Sequence, residues 1–325
     1  MKQYQVRLYV ESDFKLWNAF VKEAKNATFL FHRDFMEYHK DRFADFSILV
    51  FEGSELAAVL PAHNVGTAVH SHQGLTYGGF VVRKKVKLGS VIDMVRTTLQ
   101  FLHEQQITKL YLKTIPNFYC SFLSEEIDYC LFLLNAKTYR KDCLSVLDLT
   151  KDFSFSNHRR LCIRKGDSAN LSIREETDLT SFWDQVLIPN LKQKHQAKPV
   201  HSLEEITALQ QRFPENIRHF NVYDKDEIVA GTTMFVTDTV AHPQYVSGND
   251  RKNETGSLDY LYNYLITEAF ADKHYFDFGP SHEENGKKIN NGILFWKESF
   301  GAKTTVQGFY EIETANYNLL DDILL

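Results

Sequence analysis

YFDFGPSHEENGKKINNGILFWKESFGAK, Tyr275 to Lys303, is the stretch from which the fold is best read. Tyr275, Phe276 and Phe278 make an apolar, strand-like run that stops at Gly279-Pro280, because neither residue prolongs a ladder well. A polar loop follows. Ile293, Leu294, Trp296 and Phe300 then recur at helical spacing, up to Gly301. The loop SHEENGKK gathers His282, Glu283, Glu284, Lys287 and Lys288 just past a strand end, and loops on a rigid scaffold are where chemistry tends to sit. On residue types alone a solvated turn reads the same way. Asp277 points to the same side of its strand as Tyr275 and reads as a buried, paired carboxylate.

Upstream of this stretch the same grammar recurs. IRHFNVY, EIVAGTTMFVTD and TVAHPQYVSGN read as a three-strand meander. A basic loop from Arg251 leads to Gly256-Ser257 and to a helix carrying Leu258, Leu261, Tyr264, Leu265 and Phe270. In the first half, FSILVFEGSELAAVLPAHNVG reads as two strands about a turn at Glu52-Gly53-Ser54, with TAVHSH as a third. The basic run Arg83 to Lys87 then leads to Gly89-Ser90 and a helix with Val91, Met94, Val95, Leu99 and Leu102. ITKLYLKTIP is a strand, SEEIDYCLFLLNA a helix and KTYRKDCLSVLDLT a strand. Each half therefore runs meander, basic loop, Gly-Ser, helix, strand, helix, strand. This order predicts an α/β protein with a mixed sheet. Between the halves, FSFSNHRRLCIRKGDSAN carries His158, Arg159, Arg160, Arg164 and Lys165. It reads as a linking helix over about 155–166, with modules at 1–152 and 153–325. Arg160 and Arg164 fall on one helix face, either solvated or anion-binding.

The 325 residues are 43% hydrophobic and 24% charged, an ordinary soluble composition. Aromatics reach 14%, with 25 Phe and 16 Tyr, which suits large packed sheet faces. A net charge of −5 counts against a dedicated nucleic-acid binder, DNA above all, and leaves room only for a local basic groove. Cys120, Cys130, Cys143 and Cys162 form no CxxC pair and no zinc spacing, so free thiols and no metal are expected. The N-terminus has no apolar signal core, and no apolar run approaches the roughly 20 residues of a membrane helix, so the cytoplasm is the expected location.

Meander, basic turn, glycine, helix is an anion-binding arrangement, since a helix N-terminus offers unpaired N–H groups and partial positive charge. The natural ligand is a phosphate or pyrophosphate, held by Arg251, Lys252, Gly256 and Ser257. Neither GxxxxGK[ST] nor GxGxxG occurs. In the first half, Gly74, Gly78 and Gly79 flank Thr76 and Tyr77, allowing close backbone approach to a ligand or a bulged turn. Phe29 to Phe43 reads as an amphipathic helix with His39 and Arg42 on its charged flank. His32 and Arg33, at its start, could reach a ligand.

The runs QYVSGNDRKNETGSLDYLYNYLITEAF and YFDFGPSHEENGKKINNGILFWKESFGA, with HRRLCIRK before them, resemble the FemAB-like branch of the GNAT acyltransferase superfamily. The resemblance implies tandem GNAT-like modules, each a mixed, mostly antiparallel sheet flanked by helices. It implies transfer of an acyl or aminoacyl group to an amine, from acyl-CoA (acetyl-CoA) or from an aminoacyl-tRNA. No sustained heptad run of the kind found in the coiled-coil hairpin of peptidoglycan-type members is present.

Acyl transfer to an amine needs a base, a stabilised carbonyl oxygen and a protonated leaving group. Glu283 and Glu284, then His282, are the candidate bases. Tyr245 and Ser247, alternate residues of one strand, could donate hydrogen bonds to the donor; Tyr245 also reads as a core aromatic. Lys297, among apolar residues of the last helix, could bind a carboxylate or phosphate, or snorkel. The expected activity is N-acyltransfer to an amino-bearing small molecule or cell-envelope precursor. A ligand-binding double module that has lost catalysis and a tRNA-dependent aminoacyltransferase are the alternatives.

Overall fold

Hydrophobic periodicity decides most of the elements seen in the computed structural model, which describes residues 3–323. The chain forms two units, one made of Met1–Asp142 with Val306–Leu325, the other of Cys143–Thr305. In the first unit, β1 (Tyr4–Leu8), β2 (Ile48–Glu52), β3 (Glu55–Leu60) and β6 (Val81–Val82) form an antiparallel sheet in the order β1-β2-β3-β6. The expected turn between β2 and β3 is made at Gly53, with φ 61°. Running through the same unit are β4 (His63–Val65), β5 (Ala68–His70), β7 (Lys109–Lys113) and the last strand of the chain, β16 (Lys303–Glu313), in the order β4-β5-β7-β16. The helix Leu88–Glu104 buries Val91, Met94, Val95, Leu99 and Leu102, one helical stripe, and the helix Glu126–Leu133 buries Ile127, Cys130 and Leu131. Both stripes enter one core with Ile48, Val50, Leu60, Leu110 and Leu112.

In the second unit, the end of β8 (Lys137–Asp148) joins β9 (Ser172–Glu176), β10 (Ile217–Asp224), β11 (Glu227–Val236), β12 (Val240–Gly248) and β13 (Tyr275–Pro280) in the order β8-β13-β12-β11-β10-β9. Every neighbouring pair is antiparallel except β12 with β13. Phe220, Met234, Leu261, Phe270, Phe276 and Phe300 form the core between the sheet and the helices Asn157–Ser168 and Ser257–Tyr264. The sheets are thus mixed but mostly antiparallel and flanked by helices, as expected.

The division between units differs from the one expected at 152/153. It falls within β8, and the chain returns to the first unit within β16. By element order β8 closes the first run and β16 the second. In the fold β16 pairs with β7, from Phe309↔Lys113 to Glu313↔Lys109, while β8 pairs with β13, from Tyr275↔Asp148 to Pro280↔Leu144. Both strands alternate polar and apolar residues, so local pattern does not reveal which partner each takes. Nor is the basic segment a linker. Its helix, Asn157–Ser168, belongs to the second unit: Ile163 lies in the core, and a Cβ on Gly166 would sit 2.4 Å from Cβ of Tyr260. No helix among the described residues is long and apolar enough to cross a membrane.

Candidate active site

β12 and β13 run parallel and pair only at Val240↔Tyr275 and Ala241↔Phe276; beyond these positions they pair no further. The sequence gives the reason. Pro243 has no N–H for a ladder, and the register of β12 against β11 shifts between Thr233 and Met234, leaving Gln244 as the extra residue. On β13, Gly279 takes φ 72° and Pro280 follows. Where the strands part, four residues converge. His242 Nδ1 lies 2.9 Å from the carbonyl oxygen of Asp277 and 3.3 Å from its Oδ2. Both are acceptors, so Nδ1 carries a proton and donates to Asp277. Asp277 Oδ1 accepts from the N–H of Gly279 at 2.8 Å, a buried, paired carboxylate as its sequence position suggested. A Cβ on Gly279 would come within 3.2 Å of His242 Cε1. Lys297, only 6% exposed, donates to the carbonyls of Gly279 at 2.9 Å and Pro280 at 2.7 Å. Burial pulls its ammonium down to about 8, against the opposing pull of Asp277 and Cys143. It neither snorkels nor offers its charge to a carboxylate or phosphate; it fixes the strand end.

The loop after β13 is a short hairpin, β14 (His282–Glu283) with β15 (Lys288–Ile289), around Glu284, Asn285 and Gly286 at φ 49°, 55° and 86°. Glu283 and Glu284 are exposed. Glu283 Oε1 accepts from Asn290 Nδ2 at 3.3 Å, and Glu284 pairs with Lys288 at 2.5 Å. His282 is half-buried at the hairpin's start. Asn290 caps the next helix, Asn291–Glu298, by accepting from Ile293 N.

The other expected contacts are placed differently. Tyr245 is a core aromatic: its hydroxyl meets His201 Nδ1 at 2.5 Å and accepts from His201 N at 3.1 Å, its ring lies edge-on to Trp183, and burial pushes it up to about 12. Ser247 is also buried, accepting from Asn190 Nδ2 at 2.9 Å. Both hydroxyls are already engaged by the segment that precedes β10, so neither is free for a donor. Arg251 is exposed and pairs with Asp224 at 3.1 Å, and Lys252 opens the short helix Lys252–Thr255. Gly256 stands at φ 67°, where a Cβ would lie 2.3 Å from the carbonyl oxygen of Cys162; close helix approach requires this glycine. Ser257 is fully buried at the start of its helix. A shallow groove lined by Leu161, Arg164, Lys165 and Glu254 runs beside this turn.

In the first unit, Arg33 is buried, paired with Asp45 and Glu37, bonded to Ser47 Oγ and stacked 3.7 Å over Tyr9. Tyr77 is 2% exposed, its hydroxyl 2.8 Å from Thr28 Oγ1. These two build the interior instead of reaching a ligand. His32 is half-buried, and burial lowers its pKa. Local patterning also missed a cluster of His39, His63, His70 and His72, with ring centroids 4.7 Å apart for His39–His72 and 5.3 Å for His63–His70. Among the described residues no group of three or more His, Cys, Asp or Glu is arranged to hold a metal. His242 is the main site residue that sequence reading passed over. Its signal was the His-Pro pair inside an otherwise central strand, where proline marks a bulge or an edge.

Residues 154–287, within the second unit, match the model of the acetyltransferase (GNAT) domain family. The fold of the whole chain is similar to that of FemX, with 11% identity, TM-score 0.66, and 98% of this chain and 99% of that one covered. It is also similar to L-PGS from Bacillus licheniformis, with 12% identity, TM-score 0.61, and 96% and 93% covered. A tandem GNAT protein from the clavulanic acid biosynthesis pathway matches at 10% identity, TM-score 0.50, with 96% and 99% covered. At such identities the likeness is one of fold, and it agrees with the FemAB-like resemblance. No curated protein sequence matches the chain.

Proposed function

We propose that the chain is an N-acyltransferase working in the gap between β12 and β13. It transfers an acyl group from acyl-CoA, acetyl-CoA in the simplest case, to the amine of a small molecule or cell-envelope precursor in the cytoplasm. The observation that carries this reading is the parting of two parallel strands beside a histidine that Asp277 already orients. When bound, the thioester supplies an activated carbonyl. The gap suits it: among the described residues no strand covers the facing edges past Ala241 and Phe276, and the hydroxyl of Ser281, just past β13, is buried without a partner. The side chains of exposed Arg251 and half-buried Lys252, with Arg164 and Lys165 of the groove beside them, would take the pyrophosphate. His242 Nε2 takes the proton that the amine loses as the C–N bond forms, and the Asp277 carboxylate stabilises the imidazolium. As the C–S bond breaks, His242 returns that proton to the departing sulfur. Glu283 and Glu284 stand on the acceptor side and attract the ammonium form of the substrate.

Purified protein incubated with acyl-CoA donors and a panel of amines should give N-acylated product and free CoA by mass spectrometry. His242→Gln should lower kcat about 10²–10⁴-fold. Glu283→Gln and Glu284→Gln should act mainly on KM. Absence of product with every acyl-CoA overturns the reading. A second donor, aminoacyl-tRNA, is favoured by the exposed run His158, Arg160, Arg164 and Lys165 on one helix. It predicts product only with charged tRNA, and tRNA binding that weakens steeply with salt.

A further inference from the structure

The first unit holds an apolar tip that its own core does not cover. Leu123, at 83% exposure, is the most exposed large apolar side chain among the described residues, and its neighbour Phe122 is 52% exposed. The tip is built rather than loose. Ser121 N donates to the carbonyl of Lys25 at 2.8 Å, Ser124 N to Asn117 Oδ1 at 3.0 Å, and Lys25 Nζ to the carbonyl of Leu123 at 3.4 Å. Three exposed lysines lie in the adjoining loop. Lys84 sits over the Phe122 ring, 5.0 Å from its centroid, with Lys85 and Lys87 following. None of the three forms an ion pair among the described residues. Of the carboxylates at the start of the next helix, Glu126 is neutralised by Lys25, leaving Glu125 and Asp128.

We infer that this tip docks the first unit on an anionic lipid bilayer surface. A fixed Phe-Leu projection is suited to insertion at the level of the headgroups, where apolar side chains leave water without needing a shaped pocket. Unpaired lysines beside it reach lipid phosphates. A protein partner would more naturally meet a groove or a flat apolar face ringed by paired charges, and the tip offers neither. The inference stands apart from the proposed acyl transfer, and its test does not measure activity.

Co-sedimentation of the full chain with phosphatidylcholine vesicles containing about a third phosphatidylglycerol should pull the protein down at low salt and release most of it at about 0.5 M salt. Leu123→Asp should abolish the association. Reversal of Lys84, Lys85 and Lys87 to Glu should lower partitioning on the order of a hundredfold. All four residues are exposed, so each variant should keep the wild-type circular dichroism and melting curve. Failure to bind the anionic vesicles overturns the inference, as does equal binding to phosphatidylcholine alone. Light scattering that shows a dimer split by Leu123→Asp would assign the tip to a second copy of the chain instead.

Discussion

Lys297 and Arg33 show how a cation's role depends on what lies above it. Lys297 read as a ligand-binding charge, or a snorkelling one, among the apolar residues of the last helix, and Arg33 as one at the start of its segment; both are buried. Spacing fixes the face of a helix on which a side chain lies; it does not tell whether that face meets solvent, a carboxylate or a strand end. Asp277 was legible because a carboxylate at the end of an aromatic strand has to be paired or exposed. His242 was not, because its partner is 35 residues away and is set by strand pairing. The Lys297 ammonium has a measurable consequence. Its pKa falls from 10.5 to about 8 on folding, so between these values the unfolded chain binds more protons and stability rises with pH. Below about 8 both states are charged and the contribution is flat. Wild-type protein should therefore gain up to about 3 kcal/mol from this group between pH 8 and 10.5, read by urea titration. Lys297→Met should flatten that slope. At neutral pH the same substitution leaves the carbonyls of Gly279 and Pro280 unpaired, at a cost of about 1–3 kcal/mol that partly offsets removal of the buried charge. An unchanged pH slope in Lys297→Met would rule out this assignment.

Among the elements, those with long, strongly periodic sequences were readable, and short ones closed by backbone geometry were not. The stripe Val91, Met94, Val95, Leu99 and Leu102 gave its helix directly. The β14–β15 hairpin escaped because each strand has only two residues, and its turn relies on left-handed Glu284 and Asn285, which polar composition does not distinguish from an open loop. Gly256 illustrates the same limit from the other direction. Its place before a helix suggested close approach to a phosphate, yet the nearest group to an added Cβ is the backbone of the neighbouring helix at Cys162. Gly53 provides the control, since its φ of 61° is similar and nothing lies within 4 Å of an added Cβ. Gly53→Ala should cost about 1 kcal/mol, the left-handed conformation alone. Gly256→Ala should cost at least about 2 kcal/mol more, because the two helices must separate. Paired urea denaturation curves check this; equal losses would mean that the helices adjust freely.

For the whole molecule, the repeat seen in the sequence is present as element order, but the covalent halves are not the two compact units. The last strand of each run completes the sheet of the other unit, with β16 alongside β7 and β8 alongside β13. A cut suggested by sequence, at 152/153, would remove β8 from the second unit and strip β13 of its antiparallel partner. It would also leave β16 without β7. Unpaired edges of that kind expose backbone donors and acceptors and favour aggregation. A fragment spanning 143–305 keeps the pairing from Tyr275↔Asp148 to Pro280↔Leu144 together with the whole second core. That fragment should unfold in one sharp urea transition, whereas 153–325 should bind hydrophobic dye as a loosely packed state. For the first unit, residues 1–142 alone should be similarly compromised, and linking 306–325 to their N-terminus through a flexible spacer should restore a cooperative transition by returning β16 to β7. Cooperative folding of 153–325 and of 1–142 without the added strand would show that the exchanged strands are dispensable, and that the division at 152/153 is the physical one after all.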